Sequence, residues 1–254
     1  MKIGKVPLKK NKEEWEELSE LDIYWAILAD SEKKFGKWDI KDFFKTSEQE
    51  INNLVKLAKK LGCLLEQEVA LDFGCGIGRI TRQLARYFKK CYGVDISENM
   101  IARAKKLNSS LLNCEFVINT KDNLAVFSDN YFDLIYSKLV LQHLPDKKLI
   151  KNYISEFVRT LKKKGLLMFQ LPCYVPLSEK IQLRPGFYKV LKWAGINKKF
   201  LYENLKLNPS MTMNSLPEKE IIKLLEGLDV KILKIQKDKS AGPLIKSRIY
   251  YITK

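Results

Sequence analysis

The chain has 254 residues, 46% of them hydrophobic and 11% aromatic, with 12 Gly and 8 Pro, which excludes a disordered or fibrous chain and allows one sizeable core plus an accessory element. Its formal net charge of +16 comes from 46 basic against 30 acidic residues, and only Arg79, Arg82, Arg86, Arg103, Arg159, Arg184 and Arg248 among the cations are arginines. A lysine-dominated charge spread along the whole chain disfavours nucleic acid as the partner, since Arg supplies bidentate phosphate and base recognition.

No apolar run approaches the roughly 18 residues of a membrane span, and the lysines of the first 12 residues are not followed by an apolar segment. The expectation is a soluble, cytoplasmic protein of open oligomeric state. Cys63, Cys75, Cys91, Cys114 and Cys173 are scattered, odd in number and form no CxxC pair. With one histidine, His143, they fit free thiols and no metal site.

Residues 1–60 read as an N-terminal helical, aromatic segment without strand pattern, followed by a second unit over 61–254. Within the first, Ser47 and Glu50 form a capping box, and Ile51, Leu54, Val55, Ala58 and Leu61 recur at helical spacing, predicting a helix over 47–61. Beyond residue 68, short apolar runs alternate with amphipathic helices. Strands are expected at 69–73, 92–95, 115–118, 132–137 and 165–171, with helices over 79–89, 97–107 (Ser97 as cap) and 146–161. Residues 174–210 interrupt the alternation with an aromatic helical insertion. A capping box at Ser215 and Glu218 then opens a helix to 226, and strands at 230–235 and 248–252 are expected as antiparallel neighbours at the sheet edge. The sum is an α/β fold: a Rossmann-like, doubly wound, mostly parallel seven-stranded sheet with a helical insertion after its fifth strand.

The chemistry concentrates in Asp72-Phe73-Gly74-Cys75-Gly76-Ile77-Gly78, an acid followed by G-x-G-x-G at the end of the first expected strand. Glycines there let the backbone turn sharply and approach a ligand, and the next strand ends at Asp95, whose carboxylate can accept both hydroxyls of a ribose. A dinucleotide loop would place its third glycine at position 79, where the chain has Arg79. Asp72 would repel a pyrophosphate and suits a cationic amino group.

On these residues the chain resembles the class I S-adenosylmethionine (SAM) dependent methyltransferases, strongly over residues 60–175 and more loosely over the two C-terminal strands. The resemblance implies SAM as cofactor, with S-adenosylhomocysteine as its product. Asp72, Gly74, Gly76 and Gly78, with Cys75 inside the turn, would hold the methionine end. Asp95 would bind the ribose, Ile96 would lie beside the adenine and Met100 nearby. The adenine amino group would meet one of Lys121, Asp122 and Asn123. The runs 127–135 (FSDNYFDLI) and 137–145 (SKLVLQHLP) match the family around its fourth strand, with Ser137 at the cofactor. His143, at the carboxyl edge after that strand, has the chemistry of a general base, the alternative being a capping or packing histidine. Trp38 is a candidate lid residue.

The acceptor expected is an O or N atom of a small molecule or glycan. The rivals are an RNA or protein methyltransferase and a non-catalytic SAM-binding scaffold. Leu171-Pro172-Cys173-Tyr174 does not match the amino-methylation box of nucleic-acid enzymes, having a single proline and lying after the fifth strand.

Overall fold

The computed structural model describes residues 5–63, 66–180 and 183–254. The first four residues of the N-terminal segment and two of the insertion lie outside the described residues.

Two long helices, α1 (Lys5–Ile27, interrupted by extended backbone at Asp22) and α2 (Ile40–Lys60), precede β1 (Val69–Phe73). The alternation that follows is α3 (Arg79–Leu84), β2 (Lys90–Asp95), α4 (Glu98–Leu107), β3 (Cys114–Ile118), β4 (Phe132–Ser137), α5 (Lys147–Thr160) and β5 (Leu161–Tyr174). The insertion holds α6 (Leu177–Lys180), α7 (Leu183–Trp193) and α8 (Lys198–Glu203). The chain closes with α9 (Glu218–Glu226), β6 (Lys231–Asp238) and β7 (Lys246–Thr253).

The strands form one seven-stranded sheet in the order β3-β2-β1-β4-β5-β7-β6. The first five are parallel, and β7 runs antiparallel to both β5 and β6. Alternate residues of the strands feed two cores, which is why the runs are apolar throughout. Leu71 and Phe73 join Phe157, Ile154 and Ile221 of α5 and α9, whereas Ala70 and Leu134 pack on Ile51 and Leu54 of α2 and Ile80 and Leu84 of α3. The order reverses between β1 and β4, so their carboxyl ends frame the crevice where such sheets bind ligands.

Two expected helix starts differ. Asp39 caps α2 by accepting from Lys41 N and Asp42 N, so the helix begins before Ser47, which is buried inside it and donates Oγ–H to Phe44 O at 2.5 Å. A carboxylate at the true cap outcompetes a box that lies further along the same helix. Likewise α9 starts behind Pro217 with no side-chain cap, because Leu216 N is held by Pro172 O and the proline sets the entry backbone. Ser97, by contrast, caps α4 as expected, accepting from Met100 N at 3.1 Å.

The N-terminal helix is tied down by carboxylates. Glu16 accepts from Ser97 Oγ, Glu98 N and Asn99 N at the start of α4, supplying negative charge where that helix presents free N–H groups. Glu17 accepts from Tyr188 and Lys192 of α7, Glu20 pairs with Lys198 of α8, and Asp22 accepts from Tyr202. Thus α1 bridges the sheet domain and the helical insertion. Replacing Glu16 with Ala leaves two N-terminal donors of α4 without that partner. It should lower stability by about 1 kcal/mol in urea denaturation and speed proteolysis within residues 5–27. An unchanged midpoint and cleavage rate would show that the contact carries no weight.

Candidate functional site

Beneath α1, at the carboxyl ends of β1, β2 and β4, lies a cavity of about 910 Å3. Its wall combines the glycine turn after β1, the end of β2, the loop after β4, the inner side of α1 and α2, and residues of the insertion and of the β6–β7 loop.

The turn is built tightly. Gly74 N and Cys75 N both donate to Val94 O, at 2.7 and 3.0 Å, and Gly78 N donates to Cys75 O. Gly74 and Gly76 have φ of +77° and +53°, and a Cβ on them would come within 2.2 Å of Val140 and 2.7 Å of Ile27. Both the positive φ and the close neighbours favour glycine at these two places. Gly78 plays a different part. It has φ +82°, and a Cβ there would strike Asn108 and Phe116, so it packs the turn against α4 and β3 and is not among the residues that line the cavity.

Asp95 is the centre of the site. Its Oδ2 accepts from Gly76 N at 2.9 Å and its Oδ1 from Ser97 N at 3.0 Å. These two N–H groups satisfy about half of the roughly four acceptor positions of a carboxylate, and the residue lines the cavity. Burial pushes its carboxyl above the usual range, opposed by the backbone hydrogen bonds. A diol donating two further hydrogen bonds satisfies this underfilled, desolvated group, which is the fit a ribose makes. Ile96 and Met100, beside it on the chain, also line the cavity.

Asp72 is buried in the wall, and its Oδ2 accepts from both Thr81 N (2.9 Å) and Thr81 Oγ1 (2.6 Å). Burial raises its pKa to about 7, with the Thr81 bonds acting the other way. A cationic amino group placed there would restore the charged form. Cys75 lines the cavity as a buried neutral thiol, its pKa driven up by burial, which makes it a packing group. Trp38 also lines the cavity, its Nε1–H donating to Leu28 O at 3.3 Å and its ring edge-on to Phe43.

Four other expected positions stand outside the cavity wall. Lys121 and Asp122 are exposed, and Asn123 turns its Oδ1 to Ala125 N. The residue of this stretch that does line the cavity is Asn119, which donates to Asn123 O and accepts from Lys121 N. Its neighbours curl round it in an Asx-type turn, which removes them from the wall. Ser137 is fully buried with an unpartnered Oγ and does not reach the cavity.

His143 lines the cavity, but both ring nitrogens are engaged. Nδ1 lies 2.7 Å from Thr212 O, a carbonyl that can only accept, so Nδ1 carries the proton. Nε2 is then the acceptor for Gln142 Nε2 at 3.1 Å. Behind it Gln142 Oε1 accepts from Gln170, whose Oε1 accepts from Leu139 N, so a buried chain of amides fixes the loop after β4. Burial lowers the His143 pKa to about 4. A ring this weakly basic and committed on both sides is placed to position the loop after β4.

A second polar cluster in the same wall has no counterpart in the sequence reading. Glu50 of α2 accepts from Tyr136 Oη (2.8 Å) and Lys138 Nζ (2.5 Å), and its other oxygen lies 3.3 Å from both terminal nitrogens of Arg79. The first-ranking influence on Glu50 is burial, which acts upward, yet Lys138 and Arg79 together bring its pKa below the usual value. The one legible signal was Arg79, a cation in the position of a third glycine.

Residues 71–169 match the sequence profile of a methyltransferase domain. The phosphoethanolamine N-methyltransferase of Triticum aestivum is 28% identical over 128 residues, 49% of this chain and 25% of that one. The 2-methyl-6-phytyl-1,4-hydroquinone methyltransferase of Synechocystis is 27% identical over 157 residues, 61% of this chain and 48% of that one. The chain thus spans between a quarter and about half of the length of these curated relatives. Among solved structures, the magnesium protoporphyrin IX methyltransferase of Synechocystis with bound S-adenosylhomocysteine superposes with a TM-score of 0.62 at 18% identity, covering 98% of this chain and 99% of that one. A SAM-dependent methyltransferase of Leishmania major gives 0.62 at 15% identity, covering 97% and 82%. These structures share the fold.

The state of His143 has a thermodynamic signature. Its folded pKa lies below the unfolded value, so the unfolded chain takes up the proton first as pH falls. Stability from this group is complete above about pH 6.5 and is lost toward pH 4. Relative to His143→Gln, the native chain should lose up to about 1.4 kcal/mol per pH unit through that window in urea denaturation. Parallel stability curves for the two proteins would contradict the assignment.

Proposed function

We propose that this chain, whose residues 71–169 match a methyltransferase domain, is a class I SAM-dependent methyltransferase that transfers the methyl group of SAM to an O or N atom of a small molecule bound in the cavity under α1. One observation carries this reading: the Gly74–Gly76 turn and the underfilled carboxylate of Asp95 face the same 910 Å3 space, a volume suited to a nucleoside cofactor and an acceptor together.

When bound, SAM supplies a methyl group activated on a sulfonium. The chain's own part is to position and to exclude water. Asp95 would hold the ribose hydroxyls, Gly74 and Gly76 would let the backbone lie against the amino-acid end, and Asp72 would face its amino group. Ile96, Met100 and Asn119 would flank the base. Trp15 of α1 packs edge-on to His143 at 5.2 Å between ring centroids, while Asn11 donates to His143 O at 2.8 Å, so α1 covers one side of the space. Alignment of this kind supplies much of the acceleration of an in-line displacement without a dedicated base.

On the acceptor side the lining is largely apolar, with Leu8, Trp15, Met213 and Ile245 around the charged Glu50–Lys138–Arg79 group. This favours a small molecule combining an apolar body with a polar head. The relatives named for phosphoethanolamine and for a phytyl hydroquinone support both halves of that description.

Calorimetric titration with SAM and with S-adenosylhomocysteine should give micromolar binding that disappears in Asp95→Ala. Labelled SAM offered with a panel of amines and phenols should then give S-adenosylhomocysteine with at least one of them. No binding by the folded native chain would refute the cofactor assignment. Binding without turnover on any acceptor would favour a scaffold role.

A further inference from the structure

The helical insertion presents an apolar face that nothing among the described residues covers. On α7, Tyr188 is buried and donates to Glu17 of α1, and Leu191 is half-buried on the same side. One to two residues away, at i, i+3 and i+6, Phe187 is 65%, Val190 62% and Trp193 89% exposed. Water-facing Phe, Val and Trp on consecutive turns of one helix are costly, and such a face marks an interaction site. Two further exposed apolar side chains, Leu177 and Leu244, stand within two residues of the cavity-lining Ser178 and Gly242. Arg184 and Pro185, in the first turn of α7, line the cavity too. The helix that carries the apolar face therefore starts at the cavity.

Charge identifies the occupant. From residue 183 to 206 lie six cations, of which Lys192 pairs with Glu17, Lys198 with Glu20 and Lys199 with Glu203, while Arg184, Lys189 and Lys206 are left to give this side of the insertion a positive charge. Arg184 and Lys189 make no ion pair among the described residues. A second copy of the chain would bring like charges together on this face. An RNA would meet Val190 and Phe187 with little Arg to read it. An anionic bilayer satisfies both features at once: aromatic and aliphatic side chains enter the headgroup boundary while flanking lysines meet acidic lipid, each contributing about 1 kcal/mol.

We propose that the outer face of α7 docks this protein on an anionic lipid surface, turning the cavity mouth toward molecules held in that surface. No helix among the described residues is long and apolar enough to span a membrane, so the contact is peripheral. The docking stands apart from the methyl-transfer reading and needs no cofactor.

The test is sedimentation of the full chain with vesicles of phosphatidylcholine alone or mixed equally with phosphatidylglycerol, at low and high salt. We expect the chain to pellet with the anionic vesicles at low salt, and at least about tenfold less with neutral ones. The double substitution Phe187→Ser and Trp193→Ser should lower binding about tenfold or more, and Lys189→Glu should weaken it and reduce its salt sensitivity. All three positions are exposed, so native circular dichroism and thermal midpoint are expected in each variant. Binding to neither vesicle overturns the proposal, as does binding untouched by the substitutions. A concentration-dependent dimer lost in the Trp193 variant, or retention on poly(U) but not on vesicles, would assign the face to another partner and overturn it equally.

Discussion

The site depends on one carboxylate held by two backbone N–H groups from different elements. Asp95 closes β2, and by accepting from Gly76 and Ser97 it fixes the glycine turn after β1 against the start of α4. Each partner explains a feature of the sequence. Gly76 has a positive φ and leaves room for Ile27 of α1, where a Cβ would intrude, and Ser97 leaves its N–H free while its own hydroxyl caps the helix. The cost is a carboxylate with unfilled acceptor positions in a desolvated place, and the cavity beside it is where further donors enter.

The N-terminal helix completes that cavity. Its acidic residues are spent in turn on α4, α7 and α8, while Leu8, Trp15 and Ile27 of its other face line the space beneath. Single exposed ion pairs contribute little, but a row of them on one helix sets its register over the site. The same helix holds α7 by its inner side, through Tyr188 and Lys192, and so leaves the outer side of α7 turned to solvent at the cavity rim.

The strand alternation, the sheet reversal and the pair Gly76–Asp95 were legible in the sequence because each is written in local spacing, and the sheet order confirms the expected doubly wound fold. What was not legible depends on partners distant along the chain. Glu50 reads as half of a capping box, yet its partners Tyr136 and Lys138 are 86 and 88 residues away, on and just after β4. His143 reads as a general base or a packing histidine in a loop, and the partner that fixes its tautomer, Thr212, lies 69 residues away. In the stretch expected on the adenine side, Asn119 lines the cavity and residues 121–123 do not, since the turn around Asn119 carries them away from it.

A crystal structure of the full chain grown with S-adenosylhomocysteine is the most direct test of the Asp95-centred site. The account predicts the ribose hydroxyls on the Asp95 carboxylate, with the Gly76 and Ser97 hydrogen bonds retained and the amino-acid end against Gly74. A ligand bound elsewhere, or one whose ribose avoids Asp95, would contradict it.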